Sequence, residues 1–162
     1  DSVSSTGSLD SLNASEAPKK KLKVLKIIKP KNSQKKASNK KRKVAIVGSR
    51  NISDTQTKKI EEYLDSIKDS ISLVISGGAK GVDTIAKDFA DTNSIPIVVI
   101  KPKYHLFSDN EKKRAPLERN KEISDQCDTL YAFWDGVSTG TKNIIDYSLE
   151  NKDKKDVIVV NI

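Results

Sequence analysis

Five short apolar runs recur along this chain with room for one helix between each successive pair, and this alternation limits the fold more than any other feature. Val44-Ala45-Ile46-Val47, Leu73-Val74-Ile75, Ile97 to Ile100, Thr129 to Phe133 and Val157 to Val160 read as short strands. Their continuous apolar character suits strands covered on both faces. Helical stripes lie between them. Ile60, Tyr63, Leu64 and Ile67 follow a capping-box pair, Ser53 and Gln56, and Val82, Ile85, Ala86, Phe89 and Ala90 recur at helical spacing. After a polar loop from about 101 to 115, Pro116 suits the first position of a third helix, and a fourth is expected from about Thr141 to Glu150. The pattern predicts an α/β fold: a three-layer sandwich around a mostly parallel five-stranded sheet with right-handed crossovers.

In such a sheet, ligands bind at the carboxyl ends of the strands, where the strand order reverses. Three polar motifs fall at those ends: Gly48-Ser49-Arg50 after the first strand, Ser76-Gly77-Gly78-Ala79-Lys80-Gly81-Val82-Asp83 after the second, and Trp134 to Thr141 after the fourth. The glycine turn is expected to cradle a phosphate with the backbone amides of Gly77, Gly78 and Gly81, at the positive end of the helix that follows. Ser138, Thr139, Gly140 and Thr141 offer a second set of donors at another helix start. Arg50 and Arg119 are the planar cations suited to bidentate phosphate contact, with Arg119, beside Asn120, the better placed. Asp83 is read as either a ribose ligand or a helix cap, and Trp134 as either a stacking platform or packing.

Charge divides the chain. Residues 1–43 carry 13 Lys/Arg against 3 Asp/Glu, whereas residues 44–162 carry 17 against 19. Residues 1–42 therefore read as a flexible tail, Ser-rich to Pro18 and Lys-rich after it, and residues 43–162 as the ligand-binding domain. The run from Lys19 to Lys43 is read either as an arm for nucleic acid or an acidic partner, or as a solubilising linker. Its patch Leu22, Val24, Leu25, Ile27 and Ile28 is read as docking on a partner as strand or helix, or as mobile. Lys40-Lys41-Arg42-Lys43 also matches a nuclear-import cluster, although Lys43 and Val44 are expected to open the first strand.

Other residue types narrow the chemistry. One cysteine, Cys127, excludes an intramolecular disulfide, and no Cys/His spacing suggests a metal site, so an intracellular and chiefly cytoplasmic setting is expected. No stretch has membrane length. The chain begins at Asp1 and contains no methionine, which suggests a processed product or a piece of something longer. His105 sits in the polar loop and is read as solvent-exposed, and Cys127 as a small buried apolar residue. Nothing resembles a nucleophilic triad. Asp135 is the candidate catalytic acid or base, or else closes a turn with Gly136.

The ordered set Val47-Gly48-Ser49-Arg50, the glycine turn through Asp83, Arg119-Asn120, Ala132-Phe133-Trp134-Asp135-Gly136 and Ser138-Thr139-Gly140-Thr141 resembles the SLOG superfamily, with the YspA-type, YpsA-related branch the nearest. The likeness covers nearly all of residues 43–162. It implies a Rossmann-like fold that senses or processes a nucleotide-derived ligand, and dimerisation is suggested by related families. Two further relatives set the alternatives. Lonely-guy enzymes release a base from a nucleotide with a glutamate whose position here is Ile144, a side chain that cannot act as an acid. DprA uses similar Gly-Ser-Arg, glycine-turn and Arg-Asn motifs to hold single-stranded DNA. Nucleotide binding, single-stranded nucleic-acid binding and N-glycosidic hydrolysis through Asp135 are the three readings carried forward.

Overall fold

The computed structural model describes residues 23–28, 40–151 and 155–162. Within them lie β1 (Lys23–Ile28), β2 (Arg42–Gly48), α1 (Asp54–Ile67), β3 (Ile71–Ser76), α2 (Val82–Thr92), β4 (Ile97–Val99), α3 (Arg114–Gln126), β5 (Thr129–Trp134), α4 (Thr139–Glu150) and β6 (Asp156–Asn161). The strands form one sheet in the order β1-β6-β5-β2-β3-β4. Strands β2 to β6 are mutually parallel, as their apolar runs require, and the order reverses between β2 and β5. The fold is the expected Rossmann-like sandwich.

The buried strands explain why both faces are covered. Side chains alternate along β2, so Val44 and Ile46 pack with Ile60, Leu64, Val82 and Phe89 under α1 and α2. Ala45 and Val47 point the other way, against Ile123, Ile144 and Ile145 under α3 and α4. Each fully buried aliphatic side chain contributes roughly 1.5–3 kcal/mol. The capping box at α1 forms in both directions: Ser53 Oγ accepts from the Gln56 amide at 3.1 Å, and Gln56 Oε1 accepts from the Ser53 amide at 2.8 Å.

Three features differ from the sequence expectation. A sixth strand, β1, comes from the basic run and pairs antiparallel with β6, from Lys23 opposite Asn161 to Ile28 opposite Val157. Val24, Leu25, Ile27 and Ile28 thus lie in a strand of the chain's own sheet, while Leu22, the Ser-rich segment 1–18 and most of the Lys19 to Lys43 run lie outside the described residues. Helix α3 begins at Arg114, two residues before Pro116. Proline is tolerated there because amides in the first turn lack an intrahelical acceptor. Helix α4 likewise begins at Thr139, with Ser138 as its N-cap.

Lys155, which no sequence pattern marks, is only 3% exposed. Its ammonium donates to the carbonyl oxygen of Ser124 and, at 3.0 Å, to Ser124 Oγ. Ser124 Oγ in turn lies 2.6 Å from Ser148 Oγ. This buried chain ties the start of β6 to α3 and α4, and every polar atom in it is satisfied, which is the condition for burying such groups at all.

Candidate functional site

The strand reversal brings the three loops together. Ser49 is 1% exposed and acts as their common anchor. Its amide donates to Phe133 O at 3.2 Å, its carbonyl accepts from the Val82 amide at 3.2 Å, and its Oγ accepts from the Asp135 amide at 3.3 Å. One small residue therefore holds the β2 loop to both the β5 loop and the start of α2.

The glycine turn is shaped by close approach. A Cβ on Gly77 would lie 2.9 Å from Arg119 Nη1 and 3.1 Å from Asp83 Oδ2, so a larger residue there would have to displace the Arg119 guanidinium. Gly81 has φ of +74°, and a Cβ there would run into the carbonyl oxygens of Ser49 and Arg50. Gly78, also at positive φ, is exposed, while Ser76 lies buried beneath it. Three amides around the turn are already paired within the protein: Gly78 N with Ser76 Oγ at 3.3 Å, Ala79 N with Asp83 Oδ2 at 3.1 Å, and Val82 N with Ser49 O.

Asp83 is not the N-cap of α2, which is Gly81. It sits inside the first turn of α2 and reaches back to Ala79. Burial raises its carboxyl above the usual range, and the Ala79 N–H bond and the charges of Arg119 and Arg50 partly oppose that rise.

Arg119 and Arg50 differ in burial and in their partners within the protein. Arg119 is 9% exposed. Its Nη1 donates to Gly77 O at 2.8 Å and to Ile100 O at 3.3 Å, and its Nε donates to Asn120 Oδ1 at 3.2 Å. Asn120 continues the chain to Asn143 Oδ1 at 3.1 Å and Gly140 O at 3.4 Å. Arg119 and Asn120 thus brace the glycine turn against the start of α4. Arg50 is exposed on the crevice wall.

Gly48, Arg50, Gly77, Asp83, Arg119, Asn120, Ser138, Gly140 and Thr141 meet around one crevice of about 90 Å³. Thr139 is exposed at the first position of α4, beside it. Sequence reasoning missed the apolar lip, Pro116 and Leu117, and part of the floor, Val47 and Ile123. The available signal was helical spacing, because Pro116 lies one turn before Arg119 and Asn120 and shares their face. Ile144 lies in the floor as hydrocarbon, 1% exposed.

Trp134 and Asp135 do not line this crevice. The Trp134 indole N–H donates to Ser138 O at 3.0 Å, so the ring fastens the loop. The Asp135 carboxylate accepts from the amides of Val137 and Ser138, both at 2.8 Å. These two bonds hold it below the usual carboxylate range, so at neutral pH it is an ionised turn-former without a proton to donate. His105 is exposed in a single 3₁₀ turn, and Cys127 is buried. Among the described residues, no group of three or more His, Cys, Asp or Glu side chains could hold a metal, and no helix is long and apolar enough to cross a membrane.

No curated protein gives a significant match. Among solved structures, the chain resembles DNA processing protein A (DprA) from Streptococcus pneumoniae, with 22% identity and a TM-score of 0.57 over 72% of this chain and 49% of that one. That likeness is one of fold, and this chain spans about half the length of that protein. The family model described as DNA recombination-mediator protein A matches residues 32–115, the stretch that carries the Gly-Ser-Arg loop and the glycine turn. With the sheet order, the braced glycine turn and a match over half its length in agreement, this chain belongs to the DNA recombination-mediator protein A family.

Proposed function

We propose that the domain binds single-stranded DNA across the crevice, with a backbone phosphate seated between Arg50 and the start of α4. The observation that carries this reading is size combined with charge: the crevice holds about 90 Å³ and has the exposed Arg50 on its wall. Sites that enclose small molecules typically measure 300–1,000 Å³. A space of this size suits one phosphate of a strand that otherwise lies on the surface. Arg50 supplies a planar fork for phosphate oxygens, and the N-terminus of α4 supplies backbone donors and a favourable dipole. Lysines between Lys19 and Lys43 add sequence-blind attraction for the same polyanion.

The same contacts would take the phosphate of a free nucleotide derivative, with its base left outside. Hydrolytic release of a base has less support, because Asp135 is committed to its turn and Ile144 offers no proton. The test is fluorescence anisotropy of a labelled single-stranded oligonucleotide on the full chain, at low and moderate salt, with AMP and ADP-ribose as competitors. Arg50→Ala is expected to weaken binding about tenfold and to flatten the salt dependence by about 0.7 in log–log slope, the value for one phosphate contact on single strands. Affinity unchanged by Arg50→Ala would overturn the proposal. Displacement by AMP at concentrations well below those at which unlabelled oligonucleotide competes would instead favour the nucleotide reading.

A further inference from the structure

We infer that a second groove, which shares Arg119 with the crevice, receives a base of the same strand and favours bases with an exocyclic amine. This inference rests on the single-stranded DNA reading and assigns a base subsite to it. The groove measures about 360 Å³ and lies between the 101–115 loop and α3, and Arg119 belongs to its wall as well as to that of the crevice. A strand with a phosphate at the crevice therefore has an adjacent space large enough for a base.

The lining has the chemistry for that occupant. Leu106, 66% exposed, and Phe107 supply apolar surface, and the Arg114 guanidinium lies over the Phe107 ring at 5.6 Å from its centroid. Aromatic rings and guanidinium planes are the surfaces on which unpaired bases stack. Lys101 and Lys103 border the same groove, where they can meet flanking phosphates.

Glu118 and Glu122 give the groove its preference. They are four residues apart on α3 and so project from one face. Each engages a lysine through Oε1, Glu118 with Lys121 and Glu122 with Lys103, both at 3.2 Å. These are half-exposed surface pairs, worth about 0–1 kcal/mol, and among the described residues both Oε2 atoms remain to accept. An ionised carboxylate can only accept hydrogen bonds. Cytosine and adenine present an amine donor, whereas thymine presents a carbonyl oxygen at the corresponding position.

The experiment compares labelled oligo-dC and oligo-dT of equal length on the full chain, the Glu118→Ala/Glu122→Ala double variant and Arg50→Ala, with folding checked by circular dichroism. The wild type is expected to bind oligo-dC about tenfold more tightly than oligo-dT. The double variant should bring that ratio close to one by weakening oligo-dC, while oligo-dT binding holds or rises because negative charge is removed. Equal binding of the two oligonucleotides that remains sensitive to Arg50→Ala would overturn the base groove and leave the phosphate site standing. A preference that persists in the double variant would also overturn it, and binding of neither oligonucleotide would remove both readings.

Discussion

Arg119 donates through Nη1 to the carbonyl oxygen of Gly77 at 2.8 Å, so the guanidinium that the sequence marks for ligand contact also holds the glycine turn in place. Removing it leaves the carbonyl oxygens of Gly77 and Ile100 without their donor in a buried setting, and takes a nearby positive charge from Asp83. Arg119→Met is expected to destabilise the domain by about 3 kcal/mol, given roughly 1.5–3 kcal/mol for a hydrogen bond to a charged group. Arg119→Lys should recover part of that loss, because an ammonium can reach one carbonyl but cannot reproduce the fork. Urea unfolding measures both, and a change below about 0.5 kcal/mol in Arg119→Met would show that the bracing is dispensable.

Two glycines in the site should respond in opposite ways. Gly81→Ala places a methyl group against the Ser49 and Arg50 carbonyls at a positive φ, and a loss of about 2 kcal/mol or more in thermal or urea unfolding is expected. Gly140 has open space around its Cβ position within the first turn of α4. Gly140→Ala should leave stability unchanged or raise it by about 0.5–1 kcal/mol. Because Gly140 lines the crevice, the same methyl group should weaken oligonucleotide binding in a fully folded protein.

Asp83 and Asp135 should contribute slopes of opposite sign to stability against pH. Burial raises the Asp83 carboxyl in the folded state, so the folded protein keeps this proton where the unfolded chain has lost it. Its contribution therefore falls as pH rises from the ordinary Asp value of 3.8 up to the folded value. Asp135 is lowered by the Ser138 and Val137 amides; its contribution is present above 3.8 and is lost as pH falls through the folded value. Urea titrations across the acid range should show Asp83→Asn abolishing the first slope and Asp135→Asn the second. Wild-type slopes in both variants would refute the assignments.

The Cys127 thiol is 5% exposed, and burial pushes it up to about 11 against the opposing charge of Lys155. The thiolate is the reactive form, so a disulfide reagent at mildly alkaline pH should label the native protein only at the rate of global opening. Full labelling should appear in denaturant. Rapid native labelling would mean that α3 opens locally at its carboxyl end.

Much of the scaffold was legible in the sequence because its signals are local. The β2, β3, β5 and β6 runs are apolar without alternation, and Ser53 and Gln56 announce α1. The reversal beside β2 then follows from topology and gathers the loops. β1 was not legible, because an antiparallel edge strand interrupted by lysines has the composition of a solvated tail. The division of labour in the site was equally hidden. Arg50 and Arg119 look alike as letters, and only burial shows that one guanidinium is committed to backbone carbonyls while the other faces solvent. Trp134 and Asp135 fall at a strand mouth, where functional residues gather, but their nearest partners are the loop amides and carbonyls beside them.

The antiparallel pairing of β1 with β6 also bears on aggregation. A sheet with free edges can recruit other strands, and proteins commonly protect edges with short strands or lysines. One edge here is β4, only three residues long, and the other is β1, whose sequence carries Lys23 and Lys26. Starting the chain at Arg42 would uncover the backbone of β6, a run of Val157, Ile158, Val159 and Val160, and invite self-association. Charge-neutralising substitutions in the basic run, rather than its deletion, are therefore the way to separate its electrostatics from its role as the sheet's guard.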